Sequence, residues 1–177
     1  MATVKHASKR KPVNRTKPYG RTTYSGKAVD NRTYTALRWV ARKAGVPVIV
    51  VQGSYTSELP NGGAEASRGT HDLGGVVDLH VRSLTRKQRI RLVRYMKRAG
   101  FAAWYRKELW QNGTLVWGPH IHAVLRGHRN LAPLAAQQVT AYDNHRDGLA
   151  GNGYDRTWRP KRKRRWSHRQ NKPILGK

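Results

Sequence analysis

The basic residues of this chain crowd towards its two ends, and that placement limits where a core can form. Residues 1–21 hold seven lysines and arginines with no acidic residue, and residues 156–177 hold ten and again none. Residues 22–155 hold 19 basic and all nine acidic residues. The first 29 residues lack apolar periodicity and bury too little surface to offset the entropy of ordering them. Beyond Asp147 the sequence turns rich in Gly, Asn and Arg. The reading is therefore a flexible basic arm over 1–29, one folded domain over 30–147 and a basic tail over 148–177. A chain of 177 residues with 37% apolar content suffices for one ordinary core.

Several classes of protein are excluded or disfavoured at once. No run of about 18 apolar residues occurs, so no membrane-spanning helix is expected. The N-terminal residues carry charge without an apolar segment behind it, which does not read as a secretory signal. Cysteine is absent, so there are no disulfides and any metal must be held by His, Asp or Glu. The formal net charge of +27 predicts a polyanionic partner for the basic arms, either wall teichoic acid or nucleic acid. Trp158 and Trp166 flank the basic run at 161–165 and offer rings on which bases can stack.

Periodicity sketches the domain. A helix is expected from a cap at Asp30 or Asn31 through Tyr34, Leu37, Ala41 and Ala44 to Gly45, and a buried strand over Val46–Val51. Gly53 to Thr70 reads as loop, and Val76 to Val81 as a strand leaving a two-glycine turn. A second helix follows a cap at Ser83 or Thr85, with Ile90, Val93, Met96 and Lys97 on one flank and Gly100 as its stop. Phe101–Tyr105 and His120–Leu125 read as strands, and Asn130–Tyr142 as a last helix. The fold class expected is α+β, a small antiparallel sheet with helices packed on one side.

Chemistry concentrates in two segments. One is Thr70-His71-Asp72-Leu73-Gly74-Gly75-Val76-Val77-Asp78, and the other is Trp117-Gly118-Pro119-His120-Ile121-His122. On a strand, His120 and His122 project from the same face. Asp78 lies in an apolar strand, where an unpaired carboxylate is costly and a cation would remove the cost. Gly74-Gly75 lets the chain double back, so that His71 and Asp78 can reach a common point. His80 shares the Asp78 face, as a partner of the ligands or a partly exposed bystander. Asp72 either orients an imidazole or caps a turn. Trp104, Tyr105, Trp110 and Trp117 either line a groove or pack a core, and Glu108 is a distant candidate base.

These residues resemble the zinc peptidases of peptidoglycan that include D-alanyl-D-alanine carboxypeptidases and phage L-alanyl-D-glutamate endolysins, the LAS-type fold. Their pattern, Ser-x-His-x-x-Gly-x-Ala-x-Asp followed later by His-x-His or Glu-x-x-His, is met by His71, Gly74, Asp78 and His120-Ile-His122 over about residues 46–126. Gly69 and Val76 stand in place of the serine and alanine, and Pro119 in place of the glutamate. The resemblance implies one zinc ion on His71, Asp78 and His122, with His120 as the base. It also implies hydrolysis of a peptidoglycan peptide bond by a zinc-activated water. Gln52, Ser54, Tyr55 and Trp117 are the expected substrate-binding residues, with Gln52 or Tyr55 on the oxyanion. The segment Gln52-Gly53-Ser54-Tyr55 lacks the arginine with which many relatives hold a substrate carboxylate, which points to an endopeptidase. The segment from Gly69 to Leu79 also resembles an actinobacterial and phage subgroup. The expected setting is a phage lysis protein in the host cytoplasm or a virion-associated wall hydrolase. An inactive peptidoglycan- or nucleic-acid-binding module on the same fold is the alternative, and a metal-dependent nuclease a third reading that the scarcity of carboxylates disfavours.

Overall fold

A computed structural model describes residues 17–60, 65–156 and 164–175 of the chain. Most of the N-terminal arm, Trp158 and the basic residues 161–163 lie outside the described residues. The described chain begins with a hairpin, β1 (Arg21–Tyr24) and β2 (Lys27–Asp30), joined through Ser25 and Gly26. Helix α1 (Asn31–Ala44) starts where the Asp30 carboxylate accepts the Thr33 N–H, and ends at Gly45 in the left-handed region, φ 62°. Strands β3 (Val50–Gln52) and β4 (Val76–His80) follow. Helix α2 (Arg86–Arg98) opens with a reciprocal cap between Thr85 and Gln88. Next come β5 (Phe101–Arg106), the hairpin β6 (Leu109–Gln111) and β7 (Thr114–Trp117), β8 (His120–Leu125) and α3 (Pro133–Asp143). A second hairpin, β9 (Arg164–Ser167) and β10 (Lys172–Leu175), closes the described chain.

The central sheet has the order β3-β4-β8-β5, antiparallel throughout. Its two faces differ in what covers them. Val77, Leu79, Ala103, Ile121 and Ala123 point to one face and pack with Leu37 and Val40 of α1 and Leu92, Val93 and Met96 of α2. Val76, Ala102, Trp104 and Val124 point to the other, where Ala135 and Tyr142 of α3 meet them. The mixed α and β architecture agrees with the sequence reading, but the helices lie on both faces. Strand residues at one end of the second face are apolar, and the buried side chains of α3 pack on that end. At the other end the face turns polar, with Asp78 opposite His122 and His80 opposite His120.

Both chain ends contribute more than their charge suggests. The β1–β2 hairpin falls, except for Asp30, within the expected arm, and Val29 is fully buried. The β9–β10 hairpin falls within the expected tail, yet Trp166 is buried and meets Trp39 edge-on at 6.1 Å. The expected strand over Val46–Val51 shrinks to its last residues and Gln52, although Val46, Val48 and Val50 still alternate inward. Among the described residues no helix is long and apolar enough to cross a membrane.

Candidate metal centre

Three side chains converge on the polar end of the second sheet face. His71 comes from the loop before β4, Asp78 from the middle of β4, and His122 from the β8 position directly opposite Asp78. Their donor atoms lie within 4.8 Å of one another, and all three residues are buried. The turn that returns His71 to Asp78 requires glycine. A Cβ on Gly74 would stand 2.7 Å from His128 Cε1, and Gly75 has φ 83°. The turn is held from behind, because buried Asp30 accepts the Gly75 N–H at 3.1 Å and pairs with His128 Nε2 at 3.0 Å.

The hydrogen bonds assign a role to each ring nitrogen. His71 Nδ1 lies 2.8 Å from the Gly53 carbonyl, to which it must donate. In the neutral ring its Nε2 then carries the lone pair; that atom is buried without a hydrogen-bond partner, 3.5 Å from Asp78 Oδ2. His122 is placed by Gln138 of α3. The Gln138 amide nitrogen donates to Gly148 O at 3.2 Å, so its Oε1, 2.8 Å from His122 Nε2, must accept. That leaves His122 Nδ1 facing Asp78 Oδ1 at 2.8 Å. In the neutral ring this sets a lone pair against a carboxylate, and a proton or a metal cation between them relieves the repulsion. Trp104 stacks on the same imidazole, with 6.1 Å between centroids.

The charges agree with a site built for a cation. Burial would raise the Asp78 pKa, but the His71 and His122 imidazoles outweigh it and hold the carboxyl well below its usual range. Burial alone would lower His71; the Asp78 carboxylate wins and keeps it above the ordinary histidine value. At His122 burial prevails and the pKa falls, which favours the neutral ring. Two imidazoles, each with its far nitrogen donating to a carbonyl oxygen, and one carboxylate between them form a set that can hold a metal ion.

The centre opens into a cavity of about 340 Å³. His120 lines it, with Nδ1 2.8 Å from the Gly118 carbonyl and Nε2 3.9 Å from Asp78 Oδ1, too far for a direct hydrogen bond. Gln52 and Trp117 also line it, as expected. Gln52 Oε1 accepts from Ser67 Oγ at 3.3 Å, which leaves its buried Nε2 without a partner. Ser54 and Tyr55 do not line the cavity, which corrects the sequence reading. Ser54 Oγ donates to Val76 O and accepts from Val76 N, clamping the backbone. Tyr55, in the left-handed region at φ 65°, turns its ring beneath the Arg21 guanidinium, 4.3 Å from the centroid. Burial pushes its hydroxyl up to about 12.

Other candidates take ordinary places. Asp72 caps its turn by accepting from Gly69 N at 3.0 Å, and Glu108 is exposed outside the cavity. His80 lines the cavity rim, where its Nε2 accepts from Ser83 N at 3.4 Å. Trp110, 57% exposed, stands on the β6–β7 hairpin away from the cavity. Three contributors escape the sequence reading. Gln138 sits in a helix with no visible link to the motifs, and Arg82 and Arg106 reach the cavity from separate elements. Arg106 is mostly buried, which lowers its pKa to about 10, and donates to Asp147 O. No family model, no curated protein and no solved structure matches this chain.

Proposed function

We propose that the chain is a zinc peptidase acting on peptide bonds of bacterial peptidoglycan, with His71, Asp78 and His122 as the ligands of one zinc ion. The observation that carries the reading is the convergence of three buried donors, in which His71 Nε2 lies 3.5 Å from Asp78 Oδ2 without a hydrogen-bond partner. An orphaned buried acceptor is costly, and a cation satisfies it. The ligand types favour zinc, since two imidazoles and one carboxylate leave a fourth position open, as hydrolytic zinc sites do. The substrate class rests on the resemblance of the two motifs to peptidoglycan peptidases.

When bound, such an ion supplies polarisation of a carbonyl and brings the pKa of water towards about 7. The chain's own residues supply the rest. Because His120 Nδ1 is committed to Gly118 O, its Nε2 is free to accept a proton and return it to a departing amine. Gln52 lines the cavity, and its amide, whose Nε2 has no hydrogen-bond partner, supplies a donor for a developing oxyanion. Trp117 forms an apolar wall beside His120, with rings 6.5 Å apart. Arg82 and Arg106 give the cavity cationic walls, so the missing arginine of the Gln52 segment no longer separates endopeptidase from carboxypeptidase.

Metal analysis of the purified protein followed by digestion of purified cell wall tests the reading. It expects one zinc per chain and new free amino groups. Zinc without new amines would leave a binding module, and nucleotides released from plasmid DNA would favour a nuclease. His122→Ala should lose both metal and turnover.

A further inference from the structure

The solvent face of α2 is a row of cations with no counter-charge. Lys87, Arg91, Arg94 and Arg98 recur at intervals of four, three and four residues, which stacks them on one stripe of the helix. All four are exposed, while Leu92, Val93 and Met96 on the opposite side are fully buried. The row spans roughly 16 Å at 1.5 Å per residue. Exposed Arg86 stands at its N-terminal end. Beside it, the Arg91 guanidinium reaches Gly45, coming within 3.7 Å of where a Cβ would lie. The exposed Arg42 and Lys43 of the last turn of α1 thus extend the patch.

Neither helix contains an acidic residue. Among the described residues no member of the row forms an ion pair, and Arg98 only stacks over Tyr95 at 5.1 Å. Like charges at these spacings repel. Arg86 and Lys87 also occupy the turn where the helix dipole is positive and favours acids. The arrangement is unfavourable on both counts in the free protein and becomes favourable when a polyanion lies along it.

We propose that this face binds duplex DNA through its phosphates, independently of sequence. Guanidinium forks match phosphate oxygens, and duplex DNA offers a charge about every 1.7 Å of its axis. The duplex is as rigid as the row, whereas a flexible polyol-phosphate of the wall would lose freedom on binding. No large apolar side chain of α2 is exposed, so the face lacks what base stacking or insertion into a bilayer would need. The row lies across the sheet from Asp78 and His122, so bound DNA leaves the metal cavity open. The inference is independent of the peptidase reading.

The full chain is titrated against a labelled 30-base-pair duplex by anisotropy across salt concentrations, with a chelator present. In the variant Lys87→Gln/Arg91→Gln/Arg94→Gln/Arg98→Gln, the slope of log affinity against log salt should fall by about three to four, and affinity roughly tenfold or more. A control, Arg68→Gln/Lys107→Gln/Arg129→Gln/Arg146→Gln, removes the same charge from exposed positions outside both helices, the arm and the tail, and should leave the slope within about one of the parent. Equal losses in the two variants would overturn the proposal, because net charge alone would then explain binding. So would no binding by the parent, or tighter α2-dependent binding of poly(glycerol phosphate) than of DNA at equal salt. Matching thermal unfolding curves verify that the substituted helix stays folded.

Discussion

Gln138 determines which nitrogen His122 offers to the site, because its amide is fixed from the other side by Gly148 O. Gln138→Ala should therefore weaken zinc binding about 10- to 100-fold, the usual effect of removing a partner that orients a ligand imidazole, read by competition with a chromogenic chelator. An unchanged affinity would mean that Trp104 alone orients the ring. His120→Ala should keep the metal and lower wall digestion by roughly 100- to 10,000-fold, since it removes a proton acceptor and no ligand. The pH behaviour follows from His71. Asp78 holds its folded pKa above the unfolded value, so its contribution to the metal-free protein is complete below about pH 6.5 and is lost as pH rises through the folded value. Zinc needs the neutral ring, so the thermal stabilisation by saturating zinc should widen from about pH 5.5 to about pH 8. A gap independent of pH would remove His71 from the ligand set.

At the scale of elements, the two-glycine turn and the α1 cap form one unit, since Asp30 caps α1, accepts Gly75 N–H and pairs with His128. Asp30→Ala should cost about 2–4 kcal/mol in urea unfolding, combining a lost cap with buried donors left unpaired. Much of this was legible. Asp30 and Gly45 mark α1, Thr85 and Gln88 mark the start of α2, and the alternation of His120 and His122 sets β8, because caps and strand periodicity are local signals. The helix α3 was legible but its packing was not: Ala132 before it offers no side-chain cap, and only its Ala135 and Tyr142 are buried. Nothing local distinguishes Gln138 from a solvated glutamine. Ser54 and Tyr55 misled for a related reason, since nearness in sequence to Gln52 does not fix which way a loop side chain turns. The backbone of Val76 takes Ser54, and burial takes Tyr55.

For the molecule as a whole, charge hides how far the fold extends. A tail this basic reads as solvated, yet β9 crosses Gly100 so closely that a Cβ there would lie 2.6 Å from Trp166 N. Gly100 has φ 98°, a conformation suited to glycine, and this close approach is what brings Trp166 into the core. Arg32 and Arg126 then donate to the carbonyls of Trp166 and Arg164, so part of the excess positive charge ties the hairpin down. Trp166→Ala should cost about 3–5 kcal/mol, as for a large aromatic removed from a packed interior. Gly100→Ala should destabilise in the same sense, because the strand would have to lift. Urea unfolding of the two variants separates the cases: if the hairpin were a solvated tail, Trp166→Ala would stay within about 0.5 kcal/mol of the parent, the usual range for surface changes.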